Sequence, residues 1–126
     1  VVSFNPNPAD LTISHRVAST NRIGYVVVDP TVVYEVKEDA LVTPIAAASI
    51  GLNVSHTTTA GNTTTGKSAM ALDSDSVATT VTLPFKILGL SKRANNRLNV
   101  DGAGTDEAVY DVVMNTGYLL PNIVAL

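Results

Sequence analysis

Hydrophobic and polar positions alternate most cleanly in TVVYEVKE, residues 31–38. Val32, Tyr34 and Val36 fall on one side, and Val33, Glu35 and Lys37 on the other. A period of two is strand geometry, and one apolar face beside one mostly wet face is the mark of an antiparallel sheet. Upstream, IGYVVV at residues 23–28 predicts a second strand. Asp29-Pro30 ends it, because proline has no N–H to donate and biases the residue before it toward a turn. The two segments together predict a hairpin. The longest β pattern is VATTVTLPFKILGL, residues 77–90, with Val77, Thr79, Val81, Leu83, Phe85 and Ile87 on one face. Pro84 within it predicts an edge position or a bulge. AVYDVVM, residues 108–114, predicts a further strand, and the weak alternation across residues 11–19 a poorly defined one.

One segment reads as helix. In TPIAAASIGL, residues 43–52, Thr43 can cap, Pro44 suits the first helical position, the alanines favour helix and Gly51 can end it. Residues 56–65 and 91–105 read as polar loops, and residues 68–72 as one helical turn or a short strand. The first ten residues carry Pro6, Pro8, Asn5 and Asn7, which oppose both helix and central strand. With Val1, Val2 and Phe4 they predict an extended arm that lies on something, either a neighbouring surface or, folded back, its own domain. The last eleven, broken by Gly117 and Pro121, predict a second arm or an edge strand carrying Tyr118, Leu119, Leu120, Ile123, Val124 and Leu126. These nine apolar residues of the two ends are the candidate interface. The expected fold is mainly β: a small antiparallel β-barrel or sandwich with one short helix and extended N- and C-terminal arms. Residues 1–22 would form the N-terminal arm and poorly defined strand, residues 23–115 a β-rich core domain, and residues 116–126 the C-terminal arm.

Composition sharpens this picture. The 126 residues include 18 Val and 15 Thr but only two Phe and no Trp, and β-branched side chains fit a pleated surface better than a helix. Charged residues make up 15% and the net charge is −3, against roughly 25% charged in an ordinary domain. A weakly charged surface repels its copies little and suits assembly. It also lacks the excess of Lys and Arg that neutralises nucleic-acid phosphates, so no nucleic-acid partner is expected. No stretch resembles a targeting segment or approaches the roughly 18 apolar residues of a membrane span, so a soluble chain with no membrane partner is expected. With no cysteine, disulfides and thiolate metal sites are excluded.

The one motif with a named chemistry is GNTTTGKS, residues 61–68, which matches the nucleotide-binding P-loop, G-x-x-x-x-G-K-S/T. A working P-loop needs an apolar strand feeding it and a helix starting at Lys67-Ser68, so that backbone N–H groups and the helix end face the phosphates. Here the feeding segment SHTTTA is polar, and the following helix would be broken within about a turn by Asp73-Ser74-Asp75-Ser76. Asp111, the acidic residue available to organise Mg²⁺, falls within a strand rather than at its end. The match is expected to be a decoy. His15 and His56 have no ligand spacing. Asp73 with Asp75, and Asp101 with Asp106, supply too few oxygens in series for a calcium loop and suit turns. No G-x-S-x-G elbow accompanies the serines. Lys92, Arg93 and Arg97 form a small basic loop that an acidic surface could meet. No catalytic residue, cofactor or metal is expected.

LDSDSVATTVTLPFKILGLSKRANN, residues 72–96, resembles a family of small structural proteins of tailed bacteriophages. VVDPTVVYEVKED (27–39), TGKSAMALD (65–73) and AVYDVVMN (108–115) extend the similarity in the same order. The resemblance implies a capsid decoration (cement) protein: a virion protein on the outer shell, bound to the major capsid protein, forming a homotrimer and performing no catalysis. The alternative is another phage structural component, such as a tail or fibre carbohydrate-binding module. That alternative is the weaker, because sugar sites present aromatic faces and the chain has few aromatics.

Overall fold

In the structure, a computed structural model, the alternating segment becomes strand β3 (Val33–Lys37) and pairs with the last strand, β7 (Val109–Met114). Residues 3–6, 10–13, 15–17, 20–39, 43–98 and 108–115 are described. Short strands β1 (Ser3–Phe4) and β2 (Gly24–Tyr25) come first; β4 (Asn53–His56), β5 (Leu72–Ala78) and β6 (Phe85–Leu90) lie between β3 and β7. The chain divides into two compact units, Val1–Asp29 with Thr59–Met70, and Pro30–Thr58 with Ala71–Leu126.

The second unit holds a five-stranded sheet of order β3-β7-β6-β4-β5, antiparallel throughout. Register explains which side chains are buried. Tyr34 and Ile87 both lie opposite Val112, Val36 opposite Tyr110, and Val54 opposite Phe85. Residues directly opposite share a face, so these positions merge into one apolar surface. Ile45, Val54, Leu72, Ile87, Ala108, Tyr110 and Val112 are buried in it, with Tyr34, Val36, Val77, Phe85, Leu90 and Leu98 packed against them. Each large apolar side chain fully buried there stabilises the fold by about 1.5–3 kcal/mol. On the opposite face Val33, Glu35, Lys37 and Lys86 are exposed.

The two edge strands approach at one end. Glu38, just past β3, forms a parallel bridge with Leu72 of β5. The Asp39 N–H donates to the Leu72 carbonyl at 2.8 Å, and an Asp39 carboxylate oxygen accepts the Ser74 N–H at 3.0 Å. Beyond this point the described strands remain an open sheet and do not close into a barrel.

In the first unit β1 pairs antiparallel with β2, Ser3 opposite Tyr25 and Phe4 opposite Gly24. The Asn5 N–H donates to the Ile23 carbonyl at 2.9 Å, and the Asn5 side chain accepts the Ile23 N–H at 3.0 Å. The Arg22 guanidinium donates to the carbonyls of Asn5 and His15 and lies 6.0 Å from the centre of the Phe4 ring. Part of the expected arm therefore folds back on its own chain.

Several expectations need correction. The helix over 43–52 is a single 3-10 turn, Ala47–Ser49. Ala46 before it is extended, at φ −79° and ψ 163°, and the Ile45 N–H is taken by a side chain instead of a helical carbonyl. Gly51 does end the turn, at φ +89°, a conformation open to glycine at little cost. Residues 23–28 do not form a hairpin with 31–38: β2 pairs with β1 and β3 with β7. No strand runs through the described part of residues 11–19. The long β pattern over 77–90 divides at a turn across 79–84, with Pro84 leading into β6 instead of bending a continuous strand. The LDSDS stretch, whose Asp and Ser residues suit turns and were expected to end a helix after Lys67, follows no helix and is the first part of β5.

Candidate functional site

Hydrogen bonding within the loop decides the fate of GNTTTGKS. Asn62 Oδ1 accepts the N–H groups of Thr64 and Thr65, each at 2.9 Å, and the Asn62 carbonyl accepts that of Gly66 at 2.8 Å. The Lys67 N–H is directed to Thr65 Oγ1 at 3.4 Å, and the Lys67 carbonyl accepts the Asn62 N–H at 2.9 Å. The donors that a P-loop aims at phosphate are here turned inward to make an Asx turn. No strand enters this loop and no helix leaves it. Gly66 sits at φ +67°, where a Cβ would also run into the His15 ring. The loop's glycines thus answer to packing and turn geometry. Asp111 lies mid-strand in β7, between Glu35 and Gly89 on the neighbouring strands. Calorimetry with ATP or GTP and Mg²⁺ is expected to give no heat of binding in the parent chain and the same trace for Lys67→Ala. Micromolar binding abolished by that substitution would restore the P-loop.

The remaining candidates separate. His15 packs by Gly66, while His56 is on β4 with its ring edge-on to Phe85, centroids 5.8 Å apart at 79°. Among the described residues no three His, Asp or Glu side chains gather as metal ligands. Asp75 is exposed on β5, and Asp73 uses its carbonyl to accept the Ser76 hydroxyl at 2.6 Å. Asp101 and Asp106 lie outside the described residues. Of the basic loop, Arg93 is drawn onto the sheet: its Nε donates to Glu35 Oε2 at 2.8 Å, and Ser91 Oγ donates to Glu35 Oε1 at 2.5 Å. The hydrogen bond from Arg93, aided by that from Ser91, holds the Glu35 carboxyl below its usual range. Among the proposed interface residues Phe4 is half-buried in β1; Val1, Val2, Tyr118, Leu119, Leu120, Ile123, Val124 and Leu126 lie outside the described residues.

A fully buried polar arrangement has no signal in the residue pattern. Glu38 is fully buried; its Oε2 accepts the Ile45 N–H at 2.8 Å and its Oε1 the Ala108 N–H at 3.3 Å. Tyr110, also fully buried, donates its hydroxyl to the Ile45 carbonyl at 2.8 Å. Both backbone groups of Ile45 are therefore bound by side chains while its own side chain fills the core. This arrangement has the form of a structural clamp: it fastens the segment before the 3-10 turn to β3 and β7 and leaves no group facing outward.

What the surface offers is exposed apolar side chains. Val33, Ile50, Val81 and Leu88 of the second unit are 45–75% exposed, and Leu11, Ile23, Tyr25, Val26, Val28 and Met70 of the first 45–79%. No helix among the described residues is long and apolar enough to cross a membrane. Comparison with protein-family models, with curated proteins and with solved structures finds no match to this chain.

Proposed function

We propose that the chain is a structural protein of a phage virion, which binds the outer surface of the capsid as an oligomer and stabilises it. In this reading the partner is the major capsid protein, the oligomer is a homotrimer and no catalysis is performed. The sheet would be the wall of a small barrel-like or sandwich-like body, its outer side completed by neighbours. The observation that carries the reading is the breadth of exposed apolar surface on a chain of 15% charged residues. Such surface is unfavourable in water and becomes favourable when covered. The resemblance of residues 72–96 to phage structural proteins supplies the kind of surface that covers it. Contacts repeated by capsid symmetry add up, so each needs only modest strength.

A tail or fibre module that binds carbohydrate gains less support. Tyr25 is the one exposed aromatic ring among the described residues, whereas sugar sites stack several.

The experiment is mass spectrometry of purified particles of the phage that carries the gene, followed by add-back of the purified chain to particles stripped of it. The expected result is a fixed copy number per particle, saturable rebinding and a higher particle rupture temperature. Absence of the chain from purified particles would overturn the proposal.

A further inference from the structure

The first unit has strands without a core. Among its described residues no apolar side chain is buried: Phe4, Ile13, Val27 and Ala69 are half-buried and the others exposed. Its sheet is two strands of two residues each, and a two-stranded ribbon alone is marginal in water. Its separate stretches are joined by contacts centred on Arg22. One arm of the Arg22 guanidinium donates to the His15 carbonyl at 3.0 Å and the other to the Asn5 carbonyl, beside the Phe4 ring. The His15 ring in turn packs so closely on Gly66 that a Cβ there would run into it. Arg22 and His15 thus connect β1, the start of β2 and the loop over residues 61–68. The second unit is held differently, by the cluster of buried apolar side chains around Ile87 and Tyr110.

We propose that Arg22 is the latch of the first unit: when its two carbonyl contacts break, the unit opens as one piece while the five-stranded sheet stays folded. Hydrogen bonds from a charged donor are the stronger kind, and the planar guanidinium fork holds two carbonyls at once where an ammonium would hold one. The closed state is nevertheless only narrowly favoured. Arg22 Nε is buried without an acceptor, which offsets part of what the other two contacts contribute. Opening also gives up no buried apolar side chain among the described residues of the unit, so it proceeds at a free energy well below that of global unfolding. The boundary of the opening is visible at the base of the loop. There the Thr57 N–H donates to the Ala71 carbonyl at 2.8 Å, and Thr57 Oγ1 accepts the Ala71 N–H at 3.2 Å. Both residues belong to the second unit, so the loop is released from there outward and β4 and β5 remain paired. Segments at this low end of the stability range are those that rearrange while the rest of a fold stays whole.

The latch does not depend on the capsid reading, and its test is separate. Hydrogen exchange of the full chain, followed amide by amide by NMR, reads both units at once. The N–H groups of Asn5, Ile23 and Gly66, all hydrogen-bonded within the first unit, are expected to exchange through one shared opening. Their protection should be about a hundredfold or more below that of Ile87 and Glu38 N–H in the second unit. Arg22→Gln removes the fork, and is expected to speed exchange at all three about tenfold or more while leaving Ile87 and Glu38 unchanged. Gly66→Ala strikes the same unit from its other end, because φ is +67° there and the added Cβ meets the His15 ring. It should speed the Asn5 and Ile23 amides as well as its own. Three amides as protected as Ile87, unprotected in the parent, or unmoved by Arg22→Gln would each overturn the latch. So would a Gly66→Ala effect confined to residues 61–68, or an effect of either substitution that reaches Ile87 and Glu38. None of these results bears on whether the chain is found in particles.

Discussion

Glu38→Ala is expected to lower the free energy of unfolding by about 3–5 kcal/mol, because two buried N–H donors each lose an acceptor at roughly 1–3 kcal/mol and the missing side chain leaves a void. The donors are those of Ile45 and Ala108. The Glu38 backbone stays in place through its N–H, which donates to the Ala108 carbonyl at 2.9 Å, so the loss isolates the carboxylate. Because Glu38 also stands where the two edges of the sheet meet, the segment released is the one fastening β3, β5 and the Ile45 plug together. Glu38→Gln keeps the size and one acceptor but turns an NH₂ group toward a donor, and should cost less, about 1–3 kcal/mol. Urea unfolding decides the matter: the midpoint should fall in the order parent, Gln, Ala, with the denaturant slope unchanged. An alanine variant within 1 kcal/mol of the parent would show that the two N–H groups find water or other partners, and the clamp would lose its role.

The elements that the sequence made legible are those whose pattern is answered by local geometry. Val32, Tyr34 and Val36 alternate with Val33, Glu35 and Lys37, and burial follows that alternation residue by residue. AVYDVVM is a strand for the same reason, with Tyr110 and Val112 turned to the core. The mainly β character was therefore readable from periodicity and from valine and threonine. The failures lie where distant residues decide. β5 begins LDSDS, a string of turn formers, yet it holds as a strand because Ser76 Oγ accepts the Ser55 N–H at 2.8 Å, bridging a break in the β4–β5 register. The alanine-rich segment 43–52 has the capping and propensity of a helix, but Glu38 and Tyr110 bind the Ile45 backbone from 7 and 65 residues away. Propensity is worth tenths of a kcal/mol per residue and cannot compete with two buried hydrogen bonds and a filled core. The expected hairpin of 23–28 with 31–38 fails likewise, since β3 finds its partner in β7 more than seventy residues on. For the candidate site, the absence of a feeding strand before GNTTTGKS was legible; the Asn62 turn that takes the N–H groups of Thr64, Thr65 and Gly66 was not, because any residue satisfies the motif at that position.

The second large effect is expected at Tyr110, where size, hydrogen bonding and ionisation can be measured apart. Tyr110→Ala removes one of the largest fully buried side chains and should cost about 3–5 kcal/mol. Tyr110→Phe keeps the ring and leaves only the Ile45 carbonyl without its donor, at about 1–3 kcal/mol. The ionisation gives an independent reading. Burial, with the negative charge of Glu38 adding to it, pushes the Tyr110 hydroxyl well above its ordinary value near 10. A group whose pKa is higher folded than unfolded binds its proton more tightly in the native state, so the stability it contributes is whole below about pH 10. That contribution drains away as the pH climbs from there toward the folded value. Absorbance titration at 295 nm should therefore show one of the four tyrosines failing to ionise until the chain unfolds, and Tyr110→Phe should abolish that late step. The variant's stability should also decline less steeply above pH 10 than the parent's. A Tyr110 that titrates with the others in the folded chain would mean that water reaches its hydroxyl, and the Ile45 carbonyl would then have a donor other than Tyr110.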